Sequence, residues 1–214
     1  MTISPLHYIV TNPEQAQLAC QGGIDWIQLR VKDQSYADWK HLAQDTLAVC
    51  RAFNARLIIN DNPNLAGETG ADGVHLGQDD MPVAEARKLL GDGFILGGTA
   101  NTLEHVRQHE RHGANYVGLG PFRFTRTKEK LSPILGLNGY QTILSALRGE
   151  GITTPIIAIG GITLADVPAL RETGLYGIAV SSAISSSADP VGQARLFYQS
   201  FVSKTSKPLV DERF

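Results

Sequence analysis

The sequence predicts an α/β fold, a (β/α)8 TIM barrel forming a single domain over residues 1–214. Three observations predict it. Short runs rich in Val, Ile and Leu recur eight times along the chain. Amphipathic segments separate them at a repeat of roughly 25 residues, the size of one strand–helix unit. No linker-like or low-complexity stretch divides the 214 residues, which suffice for one sizeable core at 43% hydrophobic content. Strands alternating with helices call for parallel pairing through right-handed crossovers. An open, doubly wound sheet is the alternative. The count of eight, and the lack of a GxGxxG after the first strand, favour closure.

The strands are read in order as LHYIVT (6–11), DWIQLR (25–30), ARLIIND (55–61), GVHLG (73–77), FILGGT (94–99), YVGLG (116–120), PIIAIGG (155–161) and GIAVSS (177–182). After the second strand, SYADWKHLAQDTLAVCRAFN puts Tyr36, Trp39, Leu42, Ala43, Leu47 and Cys50 on one helical stripe, with Ser35 as N-cap. MPVAEARKLLG and TLEHVRQHERHG read as helices ending on Gly91 and Gly113. TLADVPALRETG starts at the N-cap Thr163 and ends on Gly174. Residues 204–214 follow the last helix and are expected to form a loosely ordered tail.

Composition removes several classes of function. A net charge of −2 gives no bulk attraction to nucleic acid or anionic membrane, so anions must be held by local clusters. No apolar run is long enough to span a bilayer, and MTISPLHYIVT lacks the cationic-then-apolar order of a signal peptide. Cys20 and Cys50 lack metal-site spacing and read as buried thiols of a reducing compartment. A cytoplasmic protein is expected, and homo-oligomerisation stays open.

In such a barrel, ligand-binding residues close the C-terminal ends of the strands. There the sequence places Gln28 and Arg30 at the end of strand two with Lys32 following, Asn60 and Asp61 at the end of strand three, and Gln78, Asp79 and Asp80 after strand four. Thr99 ends strand five, and GPFRFTRTKEKLSPILG, with Lys128, follows strand six. One Arg at a strand end is usually a salt-bridge partner, but cations and carboxylates gathered on successive strand ends point to a ligand. Asp61 and Asp80 suit Mg²⁺, which takes one or two carboxylates plus phosphate oxygens and water. Arg30 can grip a phosphate bidentately, while Lys32 and Lys128 act as point charges. A metal-bound diphosphate, plausible as a leaving group, fits this set.

Strands seven and eight carry a second anion signal. In IGGI, Gly160 and Gly161 allow close backbone approach to a ligand. SSAISS then opens a short helix whose free N–H groups face outward, the arrangement of a barrel monophosphate site. The bland reading of the Gly pair alone is a tight turn.

The motifs QLRVK, IINDNPNLA, ADGVHLGQDDMP, GLGP…TRTK, IAIGGI and AVSSAI, spread from Tyr8 to Ile184, resemble the thiamine-phosphate synthase family in order and spacing. The resemblance implies that hydroxymethylpyrimidine diphosphate loses pyrophosphate and the resulting pyrimidine-methyl cation is trapped by a thiazole phosphate, plain or 2-carboxylated. It implies Gln28 on the pyrimidine side and Arg30, Lys32, Asn60, Thr99 and Lys128 on the diphosphate. Asp61 and Asp80 would hold Mg²⁺. Thr125, Thr127, Gly161, Ser181 and Ser182 would lie at the thiazole phosphate. Small molecules are thus the expected partners, with no nucleic acid and no membrane.

This chain departs from the family at three places. Thr99 replaces the usual Ser, Arg123 and Phe124 replace the usual residues before Thr125, and Ser181 stands where an apolar residue is common. Arg123 and Arg126 are both candidates to reach phosphate. A thiazole tautomerase on the same barrel would use a His after strand five, where GGTANT has none. A non-catalytic phosphate-ligand binding protein is the rival from another class, and would not need both carboxylates and Lys128. His75 reads as a packed core histidine, and His105, His109 and His112 as a solvated helix face.

Overall fold

The computed structural model describes residues 2–124 and 133–202. Eight parallel strands close into a barrel in sequence order, β1 to β8, with β8 pairing back onto β1. The strands are β1 (Leu6–Val10), β2 (Trp26–Leu29), β3 (Arg56–Asn60), β4 (Gly73–Leu76), β5 (Ile95–Ala100), β6 (Tyr116–Leu119), β7 (Ile156–Ile159) and β8 (Gly177–Val180). Between and after them run α1 (Pro13–Gln21), α2 (Tyr36–Ala52), α3 (Pro63–Thr69), α4 (Val83–Leu90), α5 (Leu103–Arg111), α6 (Gly136–Gly149), α7 (Val167–Glu172), α8 (Ser182–Ser185) and α9 (Pro190–Phe201). A 3₁₀ turn, Leu164–Asp166, leads into α7. Among the described residues no helix is long and apolar enough to cross a membrane. The proposed tail, 204–214, lies outside the described residues.

Local chemistry explains the helix starts. The Ser35 hydroxyl accepts from the Asp38 N–H at 3.2 Å, and Asn12, Asn62, Thr102 and Asp189 cap α1, α3, α5 and α9 in the same way. Thr163 and Asp166 form a reciprocal capping box. Two expectations are corrected. Tyr36 is 45% exposed rather than part of the buried α2 stripe, because it occupies the first turn, beyond the barrel wall. Strands two and three stop at Leu29 and Asn60, leaving Arg30 and Asp61 in the loops. Asp61 has φ of 66°, in the left-handed region, which ends the extended chain there.

Inward-pointing residues alternate along each strand and stack in layers. The floor holds Trp26, Ile58, Ile95, Tyr116, Ile157 and Ala179, all buried. His7 joins them, stacked on Trp26 at 4.4 Å and 12°, with its Nε2 donating to the Ser4 carbonyl at 2.8 Å. Burial holds the His7 pKa down to about 3, so it packs as a neutral ring. One layer higher the interior turns polar: Gln28, Asn60, His75 and Thr99 are all buried, on β2 to β5.

The floor has no spare room at Gly97, where a Cβ would stand 2.2 Å from the Tyr116 ring. Its neighbour Gly98 faces outward and makes space for the His109 ring, 2.4 Å from a would-be Cβ. A Gly97→Ala protein is expected to lose about 2–3 kcal/mol of stability, read as a lower urea midpoint with unchanged slope.

Candidate functional site

The site is the C-terminal rim of the barrel, where the polar upper layer meets the loops. Gln28 Nε2 donates to Asn60 Oδ1 at 2.7 Å, joining β2 to β3 across the interior. Both side chains are nearly inaccessible, so this bond fixes their amide orientations rather than competing with water. His75 lies next in register to Asn60 on β4. Its Nδ1 is 3.0 Å from the Tyr116 hydroxyl and its Nε2 is 3.0 Å from Thr99 Oγ1. The sequence reading of His75 as a packed, hydrogen-bonded histidine is borne out in geometry.

Thr99 is clamped through its backbone as well. Its carbonyl accepts from Gln78 Nε2 and from His109 Nε2, each at 2.8 Å. The same Gln78 nitrogen donates to His105 Nδ1 at 2.8 Å. The expectation of a solvated face for His105, His109 and His112 is therefore corrected: each is half-buried, and His109 turns back onto β5 through the gap at Gly98. Burial lowers the His109 pKa, and its Nδ1 has no hydrogen-bond partner among the described residues.

The two predicted metal ligands come together. The Asp61 and Asp80 carboxyl groups lie close enough to interact, and in the absence of a cation one can hold a proton toward the other. The Asp61 pKa is pushed up to about 7, first by partial loss of hydration among the strand ends, then by the bond to Asp80 and its charge. Arg30 and the Asn60 side chain act in the opposite direction. Asp61 as a whole keeps access to solvent at the rim, so it can exchange its proton for a cation. Asp80 is held by the Gly77 N–H, which donates to its Oδ2 at 2.6 Å. Among the described residues no group of three or more His, Cys, Asp or Glu side chains could hold a metal. A two-carboxylate site suits Mg²⁺, which keeps waters and completes its shell with substrate oxygens, better than Zn²⁺, which wants three or four protein ligands.

On the opposite arc of the rim lie the residues read as a monophosphate site. Gly161 has φ of 66°, and a Cβ there would stand 2.4 Å from Arg123 Cγ. Ser181 and Ser182 begin α8; the Ser181 hydroxyl donates to the Ile9 carbonyl at 2.9 Å, while Ser182 is exposed. Lys32 is exposed in the loop after β2. Thr125, Thr127, Lys128 and Arg126 lie outside the described residues. A groove of about 540 Å³ lined by Leu144, Arg148, Pro155 and Tyr176 opens at the other end of the barrel, away from all these groups.

Sequence reasoning missed the role of Arg123. Its guanidinium forks onto both carboxylate oxygens of Asp166, at 2.7 and 2.8 Å, and donates to the Gly161 carbonyl at 3.0 Å. Arg123 thereby ties the start of the β6–α6 loop to the β7–α7 loop beside Gly161. The signal available was indirect: Asp166 reads as a capping-box residue, and nothing local says that it serves a second partner. Cys20 and Cys50 are buried free thiols, as expected.

A closed eight-stranded barrel with a carboxylate pair, a cation and polar strand ends at its C-terminal rim has the form of a TIM-barrel enzyme. More narrowly, residues 3–184 match the family model described as thiamine monophosphate synthase, and the chain belongs to that family. It is 50% identical over 182 residues to a thiamine-phosphate synthase of Bacteroides fragilis, covering 85% of this chain and 89% of that one. A thiamine-phosphate synthase of Flavobacterium johnsoniae is 54% identical over 169 residues, covering 79% and 80%. Among solved structures, the thiamine phosphate pyrophosphorylase of Pyrococcus furiosus superposes with a TM-score of 0.83 at 27% identity, covering 94% of this chain and 96% of that one.

Proposed function

We propose that the chain is a thiamine-phosphate synthase, a transferase that joins a pyrimidine methyl diphosphate to a thiazole phosphate and releases pyrophosphate. The observation that carries this reading is the facing pair Asp61–Asp80 with Arg30 beside it, at the strand ends where a diphosphate would lie. The C–O bond to the diphosphate breaks first, and its electron pair leaves on pyrophosphate. The thiazole nitrogen then forms the new C–N bond to the methylene carbon.

Each residue has work that such a step needs. Arg30 and Lys32, with Lys128, neutralise the charge that grows on the departing diphosphate. Asn60 and Thr99 donate hydrogen bonds to it, and Gln28, its amide fixed by Asn60, faces the pyrimidine. Asp61 and Asp80 would hold Mg²⁺, which supplies further positive charge to the leaving group when bound. Gly161, Ser181 and Ser182, with Thr125 and Thr127, hold the thiazole phosphate and so orient the nucleophile. The reaction uses no general base.

The test is Mg²⁺-dependent pyrophosphate release, assayed with the pyrimidine diphosphate and the plain and carboxylated thiazole phosphates. No release with either thiazole would overturn the reading. The assay also has a predicted pH dependence. Asp61 is raised to about 7, so below that pH a proton competes with the cation. At limiting Mg²⁺ the rate should therefore rise with pH through about 7, and saturating Mg²⁺ should move the midpoint to lower pH.

The sign for stability follows from the same shift. A carboxyl whose pKa is raised on folding binds its proton more tightly in the folded state. The metal-free protein should then lose stability as pH rises from the ordinary carboxylate range through about 7. Added Mg²⁺ should restore it, measured as a Tm gain larger at pH 8 than at pH 6.

A further inference from the structure

We infer that Tyr116 and His75 form a proton-ordered relay that presents the Thr99 hydroxyl as a hydrogen-bond donor to the diphosphate. Tyr116 is 1% exposed, and its hydroxyl has one partner among the described residues, His75 Nδ1 at 3.0 Å. A buried phenol stays protonated, and burial holds its pKa well above the ordinary tyrosine range. Its proton needs an acceptor. Only an unprotonated Nδ1 provides one; an Nδ1–H ring would donate to the phenol oxygen and leave the buried phenol proton without an acceptor among the described residues.

The neutral imidazole then carries its proton on Nε2. That N–H points at Thr99 Oγ1, 3.0 Å away, and donates to it. Thr99 Oγ1 has no other partner among the described residues, so its own O–H remains to be donated. The rest of Thr99 is already fixed, since its carbonyl is held by Gln78 and His109. The direction of the hydroxyl proton is the one freedom left, and the tautomer of His75 sets it.

The opposite tautomer would have a clear cost. Nε2 would accept the Thr99 proton, and the hydroxyl would meet the diphosphate with lone pairs. A donor toward an anion becomes an acceptor toward an anion. His75 and Tyr116 are thus positioning residues, acting through Thr99. This assignment rests on the reading of Thr99 as a diphosphate contact.

Two observables separate the relay from ordinary packing. The first is the imidazole ¹⁵N spectrum of the protein labelled at histidine, with His75 assigned by comparison with His75→Gln. The unsubstituted enzyme should show a protonated Nε2 and an unprotonated Nδ1. Tyr116→Phe, which keeps the ring and its packing, should mix or invert that pattern. Thr99→Val should leave it unchanged.

The second is a kinetic cycle. Tyr116→Phe should lower kcat by about tenfold with KM for the pyrimidine diphosphate little altered. Thr99→Val should cost at least as much, and the double variant should be no slower than Thr99→Val alone, because both remove the same donor. An Nδ1–H ring in the unsubstituted enzyme, or multiplicative losses in the double variant, would overturn the relay. A Thr99→Val enzyme that turns over normally would instead overturn the diphosphate contact of Thr99, so the two failures are distinct.

Discussion

An Asp80→Ala enzyme should release pyrophosphate at least about a hundredfold more slowly while binding thiazole phosphate as before. The two halves of the rim explain the split. Asp80 faces Asp61 and is held by the Gly77 N–H, on the diphosphate arc. The thiazole-phosphate residues Gly161, Ser181 and Ser182 follow β7 and β8, on the other arc. Asp80→Asn separates shape from charge. Its amide oxygen can still accept from Gly77, but it brings no negative charge to a cation, so it should be nearly as slow. Burial is the larger cause of the raised Asp61 pKa and remains in both variants, but both remove the Asp80 charge that adds to it, so the Asp61 pKa should fall part of the way. Steady-state pyrophosphate release and calorimetric titration with thiazole phosphate read both effects. Unchanged turnover in both variants would remove the metal role from this pair.

Arg30→Ala carries the second large effect, a loss of roughly a hundredfold in kcat/KM for the pyrimidine diphosphate. Arg30 is half-buried where β2 ends, and its charge already lowers the Asp61 pKa. Removing it takes a bidentate donor from the leaving group and also raises Asp61 further. The pH at which limiting Mg²⁺ activates the enzyme should therefore move upward. Arg30→Lys keeps the charge without the fork. It should restore the pH midpoint but only part of the rate. An Arg30→Ala midpoint that stays put would show that Arg30 does not sense the carboxylate pair.

Much of the barrel was legible because its signals are local. Parallel strands buried on both faces read as apolar runs, and Ser35 and Thr163 mark helix starts by spacing alone. The helices that went unmarked, such as α1, α3 and α9, are short or weakly patterned, and are held by packing against neighbours. For the same reason Tyr36 looked like part of a buried stripe. Periodicity gives the face of a helix but not where the barrel wall ends along it.

The site divides along the same line. The sequence by itself determined which residues stand at the strand ends: Gln28, Arg30, Asn60, Asp61, Asp80 and Thr99 all belong to the rim, because strand alternation and chain order suffice to put them there. Only the tertiary structure decided who meets whom. The stagger of the closed barrel sets His75 between Tyr116 and Thr99. The left-handed turn at Asp61 and the Gly77 bond to Asp80 bring the two carboxyls beside each other. Arg123, in the sequence one of two candidates to reach phosphate, is taken by Asp166 from another loop. Such pairings depend on register between strands and on backbone angles in loops, which the period of side chains along one strand does not encode.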